Sequence, residues 1–183
     1  MMIPRLETER LRLREWRPDD FEAFVSIMAD PAVARYLPGG HPMGRMETWR
    51  FVTATIGVWT MRGYGAWVVE RKSDGVVMGR IGLVHPDPWP GLEVGWTLGQ
   101  AYWGKGYATE AAKVSLDYAF LTQPVAEVIS TIHPENKASQ GVARNIGESL
   151  GRRVDIDVGG GTIYTCDVWA ISRAEWEKRR KSS

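Results

Sequence analysis

The chain has 183 residues, 44% of them apolar, with 23 Lys and Arg against 22 Asp and Glu. That length suits one domain with a real core, and the near-zero net charge lacks the broad positive field of non-specific nucleic-acid binders. One cysteine, Cys166, excludes a disulfide framework or a multi-cysteine zinc site, and His41, His85 and His133 show no metal-ligand spacing. The first seven residues carry charge where a signal peptide needs an apolar run. No apolar stretch nears the ~20 residues of a membrane span. A single cytoplasmic domain over 1–183, with neither membrane nor nucleic-acid partner, is expected.

Residues 8–16 alternate, with Leu11 and Leu13 (and, less well, Glu15) opposite Arg10, Arg12 and Arg14, which predicts a half-buried strand. Pro18 then opens a helix with Asp19 and Asp20 in its first turn and Phe21, Phe24, Val25 and Met28 on one face. Asp30-Pro31 starts a short second helix ending near Tyr36. After the loop Pro38-Gly39-Gly40-His41-Pro42, a longer helix places Trp49, Val52, Ile56 and Trp59 on one stripe and stops at Gly63.

The period then changes. Strands at 66–71 and 76–84 flank the hairpin signal Ser73-Asp74-Gly75. A proline-rich loop at 85–91 leads to a strand at 92–98, a glycine turn and a helix at about 108–120. A strand at 127–132, a helix at 137–146 and strands at 151–158 and 162–171 follow. Ser172-Arg173-Ala174-Glu175 is a capping box for a basic terminal helix. The whole reads as one α/β domain with a mixed, mainly antiparallel sheet.

The glycine turn is the informative part. A strand, a turn and a helix rich in small residues leave unpaired amides at a positive helix end, where a phosphate can sit. Gly99, Gly104 and Lys105 match G-x-x-x-x-G-K, but Gly106 stands where a P-loop needs the Ser or Thr that holds magnesium. Gly104-x-Gly106 begins a dinucleotide fingerprint, yet Thr109 replaces its third glycine, and Glu127 precedes its strand rather than ending one. A plain strand-to-helix turn leaves Ala108, Ala111 and Ala112 unexplained. Small side chains there let the helix start press against the sheet. Amides from Gly104 to Thr109, with the Thr109 hydroxyl, then face a ligand. Each charge held at such an end is worth about 0.3–1 kcal/mol when exposed and up to ~2 when partly buried.

Trp103-Gly104-Lys105-Gly106-Tyr107-Ala108 resembles the R/Q-x-x-G-x-G/A loop of the GNAT superfamily of acetyl-CoA-dependent acyltransferases. The wording is closest to the branch of ribosomal-protein N-terminal (RimJ/RimL-like) acetyltransferases, with Trp103 in the usual Arg/Gln position. The opening segment from Leu6 to Arg14, Val77-Met78-Gly79-Arg80-Ile81-Gly82-Leu83 and Asn136-Lys137-Ala138-Ser139 extend the resemblance along almost the whole chain.

The resemblance implies the GNAT fold: about seven strands, a central parallel pair (92–98 and 127–132) that splays apart, and flanking helices. It further implies that coenzyme A lies in the gap. Its pyrophosphate would sit on Gly104, Lys105, Gly106, Tyr107, Ala108 and Thr109 beside Trp103, and its pantetheine arm along the backbone of Trp96 and Leu98. An amide in that stretch can polarise the thioester carbonyl. Gly95 fits either a bulge or packing. Asn136 would touch the arm and Ser139 would donate to the departing thiolate, although Asn-x-x-Ser is also an ordinary helix cap.

An attacking amine needs a base. Glu93, on the key strand and facing opposite to Val94 and Trp96, is the first candidate; a surface carboxylate is the plain alternative. His85 and His133 end strands and could line a cleft. Lys105, Lys137 and Arg144 could meet coenzyme phosphates. No tyrosine falls in 125–160 to act as general acid, and Cys166 lies too late in the chain for a covalent route. Trp49, Trp59 and Trp89 suggest an apolar entrance for the acceptor. The expected function is acetyl transfer from acetyl-CoA to a primary amine, in a protein N-terminus or a small molecule, within a ternary complex. A catalytically silent coenzyme-binding module is the alternative. Related enzymes often form homodimers.

Overall fold

The computed structural model describes residues 3–182. Its sheet has eight strands in the order β1-β2-β3-β4-β5-β6-β8-β7. These are β1 (Leu6–Glu7), β2 (Leu11–Arg14), β3 (Ala66–Arg71), β4 (Val77–Val84), β5 (Glu93–Leu98), β6 (Glu127–Ile132), β7 (Ser149–Asp157) and β8 (Ile163–Ser172). The helices are α1 (Asp20–Met28), α2 (Pro31–Ala34), α3 (Arg45–Arg62), α4 (Tyr107–Thr122), α5 (Lys137–Ile146) and α6 (Arg173–Lys181). Among the described residues no helix is long and apolar enough to cross a membrane.

Every neighbouring pair of strands is antiparallel except β5 and β6, which are parallel and pair at one register position, Glu93 opposite Ile129. Ile129 N donates to Leu92 O at 2.9 Å. One step on, the Ser130 hydroxyl stands 2.9 Å from the Val94 carbonyl, in place of a backbone donor. Beyond that point Trp96 and Leu98 have no partner on β6. The parallel pair therefore opens like a wedge toward the end of β5.

Of the four buried apolar clusters among the described residues, two position the site. In the larger, Ala111, Ala112, Leu116, Ala119 and Phe120 of α4 pack on Trp67, Ile81, Leu83, Val94 and Val128. Ala111 and Ala112 are fully buried, as expected of small residues that bring a helix start close to a sheet. The smaller cluster, Phe24, Ile27, Met28, Val33 and Val52, joins α1, α2 and α3. The Asp30 carboxylate caps α2 by accepting from Ala32 N at 2.8 Å, and Gly63 ends α3. The Ser172–Glu175 capping box opens α6.

Three expectations are corrected. The strand expected at 8–16 is confined to Leu11–Arg14, with Leu6–Glu7 a separate strand before it, because the Thr8 hydroxyl accepts from Leu11 N at 3.0 Å and turns the chain between them. Arg14, read as lying on the polar face, is buried: its guanidinium grips Asp20 at 2.7 and 2.8 Å and Glu70 at 2.6 Å. On α3 the buried stripe is Thr48, Val52, Thr55 and Trp59, whereas Trp49 and Ile56 face outward. The apolar pair was one position off the true stripe, and two threonines fill it by bonding back to Gly44 O and Phe51 O.

Candidate active site

Two cavities flank the open end of the wedge, one of about 320 Å³ and one of about 670 Å³. They share Tyr36, Leu37, Trp96, Thr97, Asn136 and Ser139, so they meet at the splayed strands. The larger is walled by the glycine turn and the start of α4. The smaller is bounded by β4, β5, the 85–91 loop and the α1–α3 segment.

In the larger cavity, Gly104 and Gly106 hold φ of +71° and +79°, left-handed values that side-chain-bearing residues rarely adopt. Glu110 N, bonded to Gly106 O at 3.0 Å, is the first amide to bond within α4. The amides of Tyr107, Ala108 and Thr109 precede it and have no helical acceptor. Gly104, Gly106, Tyr107, Ala108, Thr109, Trp103 and Leu98 all line this cavity. Trp103 Nε1 donates to Leu98 O at 2.8 Å and so ties the turn to the end of β5. Lys105 behaves differently: its ammonium folds back onto Ala101 O at 2.8 Å, and its side chain is not part of the lining.

The turn is clamped from the other end of the chain. Arg10 Nη1 donates to Lys105 O at 3.0 Å, while Arg10 Nε and N donate to the Glu110 carboxylate at 2.7 and 2.9 Å. The same guanidinium covers the Tyr107 ring, 4.4 Å from its centroid. These contacts span about a hundred residues of sequence, and nothing in the local pattern of the opening strand points to them.

Asn136 and Ser139 sit where the cavities meet. Asn136 Oδ1 accepts from Ser139 N at 3.1 Å, which is helix capping. Trp96 Nε1 donates to Ser139 Oγ at 3.2 Å, leaving the serine hydrogen free for another acceptor. One pair of residues thus caps α5 and presents a hydroxyl to the gap. Lys137 also lines the larger cavity and leans toward Pro134 O and Gln140 Oε1. Arg144 stacks on Trp169 instead.

Glu93 faces the smaller cavity and is buried. Trp89 Nε1 and Thr131 Oγ1 both donate to its Oε2, the latter at 2.6 Å. Burial pushes its carboxyl above the usual range; the two donors and the charge of Arg80 pull the other way. A carboxyl raised in this way holds a proton more strongly than an exposed one, a property suited to a base. Gly95 lies in unbroken register between β4 and β5, opposite Gly82, so no bulge is present there.

Several residues come to this cavity unannounced by the sequence. Arg80 and Thr131 line it, as do Tyr36 and Tyr164 from distant segments. Tyr164 lies outside the 125–160 window, and burial pushes its phenol well up, which weakens it as an acid. Of the three tryptophans expected at the entrance only Trp89 lines the cavity; Trp59 is in the main core and Trp49 is on the outer face. His133 reaches the lining against Tyr36, whereas His85 is exposed and outside it. The Cys166 thiol is buried and raised to about 12, a poor nucleophile.

Glu148 lies behind the wedge, buried, with Oε1 3.0 Å from Ser130 Oγ and Oε2 without a partner among the described residues. Burial, and secondarily the charge of Glu93, raises its carboxyl well above the usual range. Ser130 has one hydrogen and two acceptors in reach, Val94 O and Glu148. A protonated Glu148 resolves this by donating to Ser130, which donates to Val94 O.

The model of the acetyltransferase (GNAT) domain matches residues 10–148. An uncharacterised Bacillus subtilis protein, YkkB, is 33% identical over 151 residues, covering 78% of this chain and 84% of its own. An acetyltransferase from Agrobacterium tumefaciens superposes with a TM-score of 0.80 at 31% identity, over 94% of this chain and 96% of that one. RimL, a ribosomal-protein alpha-N-acetyltransferase solved in complex with coenzyme A, shares the fold with a TM-score of 0.73 at 16% identity, over 90% and 95% of the two chains. The splayed parallel pair, the glycine turn at the start of α4 and these likenesses lead to one conclusion: the chain belongs to the GNAT family of acetyltransferases.

Proposed function

We propose that this enzyme moves an acetyl group from acetyl-CoA to a primary amine by direct attack within a ternary complex. The observation that carries this is the meeting of two cavities at the β5–β6 wedge, one walled by free amides and the other by a buried carboxylate. The residues fit coenzyme A. Amides of Gly104–Thr109 would hold its pyrophosphate, assisted by the positive end of α4. The edge at Trp96 and Leu98, which β6 leaves without a strand partner, would take the pantetheine arm as a further strand, with Asn136 beside it. The bound thioester supplies an activated acyl carbon and a thiolate leaving group.

Glu93 takes the proton that the amine nitrogen loses as it bonds to the acyl carbon, directly or through one water. Thr131 and Trp89 fix its Oε2 and leave Oε1 toward Gly95. A Trp96 or Leu98 amide facing the gap donates to the carbonyl oxygen as negative charge grows there. Ser139, oriented by Trp96, donates a hydrogen bond from its hydroxyl to the sulfur, which leaves as thiolate when the C–S bond breaks. The side chain of Lys105 holds the turn's shape through Ala101 rather than gripping phosphate.

A thiol-release screen with acetyl-CoA against amino acids, N-terminal peptides, polyamines and aminoglycosides tests the reading. Amine-dependent release supports it. Coenzyme binding with no release for any amine would instead mark a silent binding module.

A further inference from the structure

Two other arginines drawn in from the surface, buried Arg14 and half-buried Arg173, are well partnered. Arg14 holds two carboxylates, and Arg173 donates to three backbone carbonyls at 2.8–3.0 Å. Arg80 is the exception. Its Nε is buried with no partner, and its guanidinium makes neither ion pair nor hydrogen bond among the described residues. It lies over the Phe51 ring, 4.8 Å from the centroid, and lines the smaller cavity. Desolvation pulls it down to about 10, with only the more distant Glu93 charge in opposition.

Arg80 stands opposite Thr97 on the sheet, and Glu93 opposite Val84, so both rise from one face. Between them Gly82 and Gly95 face each other, and the Glu93 carboxylate reaches along the strand over Gly95. The two charges influence each other yet form no ion pair within 4 Å. The cavity thus offers an anion near one end, a cation near the other, and an apolar wall of Met28, Phe51 and Trp89. A guanidinium that stacks on an aromatic ring, lines a cavity and lacks a protein acceptor is suited to pairing with a carboxylate.

We propose that Arg80 binds a carboxylate of the acceptor, and that the acceptor is a free amino acid, or a similarly compact amine, bearing its own carboxylate and an apolar side chain. The proposal rests on the amine-acetylation reading above for the role of Glu93. With the amine held at Glu93 and the carboxylate at Arg80, the ligand completes both charges at once. A cavity of about 320 Å³ suits a molecule of that size.

The test compares leucine with leucinamide, and phenylalanine with phenylalaninamide, titrated into protein saturated with coenzyme A and read by tryptophan fluorescence. Wild type is expected to bind each acid at least about tenfold more tightly than its amide. Arg80→Gln is expected to weaken the acids at least tenfold and erase that preference, with Arg80→Lys intermediate. Coenzyme affinity measured on each variant certifies the fold. Equal binding of acid and amide to wild type, a preference that survives Arg80→Gln, or no saturable binding of either overturns the proposal. Tighter binding of peptides with an acidic second residue than of any free amino acid overturns its compact-acceptor part. Acid-selective binding without thiol release leaves Arg80 as a carboxylate receptor and removes the acetylation reading. Thiol release that favours amides does the reverse.

Discussion

A Cβ built on Gly95 would come within 2.8 Å of Glu93 Oε1. The carboxylate therefore occupies the volume that a side chain two residues along its own strand would need. The atom displaced is the tip of a flexible side chain, so the strand can tolerate the extra methyl while the base cannot keep its place. Gly95→Ala is expected to leave thermal stability nearly unchanged and lower kcat about ten- to a hundredfold, with acetyl-CoA affinity retained. Steady-state kinetics beside a thermal melt would check this, and a large fall in melting temperature would count against it.

Glu93→Gln keeps the shape and removes the base, so kcat should fall by about 10²–10⁴. In wild type the acidic limb of kcat/KM should lie above the ordinary carboxylate range, because burial raises this carboxyl and the rate is lost as pH falls through its pKa. Thr131→Val removes a hydrogen bond that favours the ionised form. Its limb should move to still higher pH. A limb that stays in place in the Thr131 variant would remove Glu93 from the role.

Glu148 bears on stability. Its folded-state pKa lies above the unfolded value, so it favours folding fully at pH below the unfolded pKa of about 4.3. That contribution is lost as pH rises from there through the raised folded value. Glu148→Gln cannot ionise and should flatten the fall in melting temperature as pH rises above the ordinary carboxylate range. Each kcal/mol recovered would appear as about 2–4 °C. Parallel pH–stability curves for the two proteins would mean that the buried acid is not the titrating group.

The Arg10 clamp holds the glycine turn by Lys105 O and Glu110 rather than by ligand contact. Arg10→Ala should raise KM for acetyl-CoA about tenfold, since small misplacement of a binding loop is costly. Glu110→Gln should act in the same direction and, combined with Arg10→Ala, add little, as expected for one network. Full additivity of the two changes would show that they act separately.

Much of this architecture was legible in residue order. The change from helical to alternating period near residue 64, the Ser73–Gly75 hairpin and the Asp30 and Ser172 caps are local signals, and each element lies where its signal puts it. The glycine turn was legible for the same reason: Gly104 and Gly106 meet a backbone demand that neighbours alone impose. Arg80, Tyr36, Tyr164 and Glu148 were not, because their meaning comes from strands and loops brought together over long sequence distances. Arg14 reads as a polar position of a strand, and Arg80 stands in the sequence only within the stretch 77–83 that carries the resemblance. Only the packed structure separates the arginine enclosed by Asp20 and Glu70 from the one left open to a cavity.

A crystal structure of the protein with coenzyme A tests the central claim most directly. The claim predicts pyrophosphate oxygens within about 3 Å of amides between Gly104 and Thr109. It also predicts the thiol end between Trp96 and Ser139, on the cavity that Glu93 lines. Coenzyme bound outside the β5–β6 wedge, or with its sulfur turned away from that cavity, would contradict it.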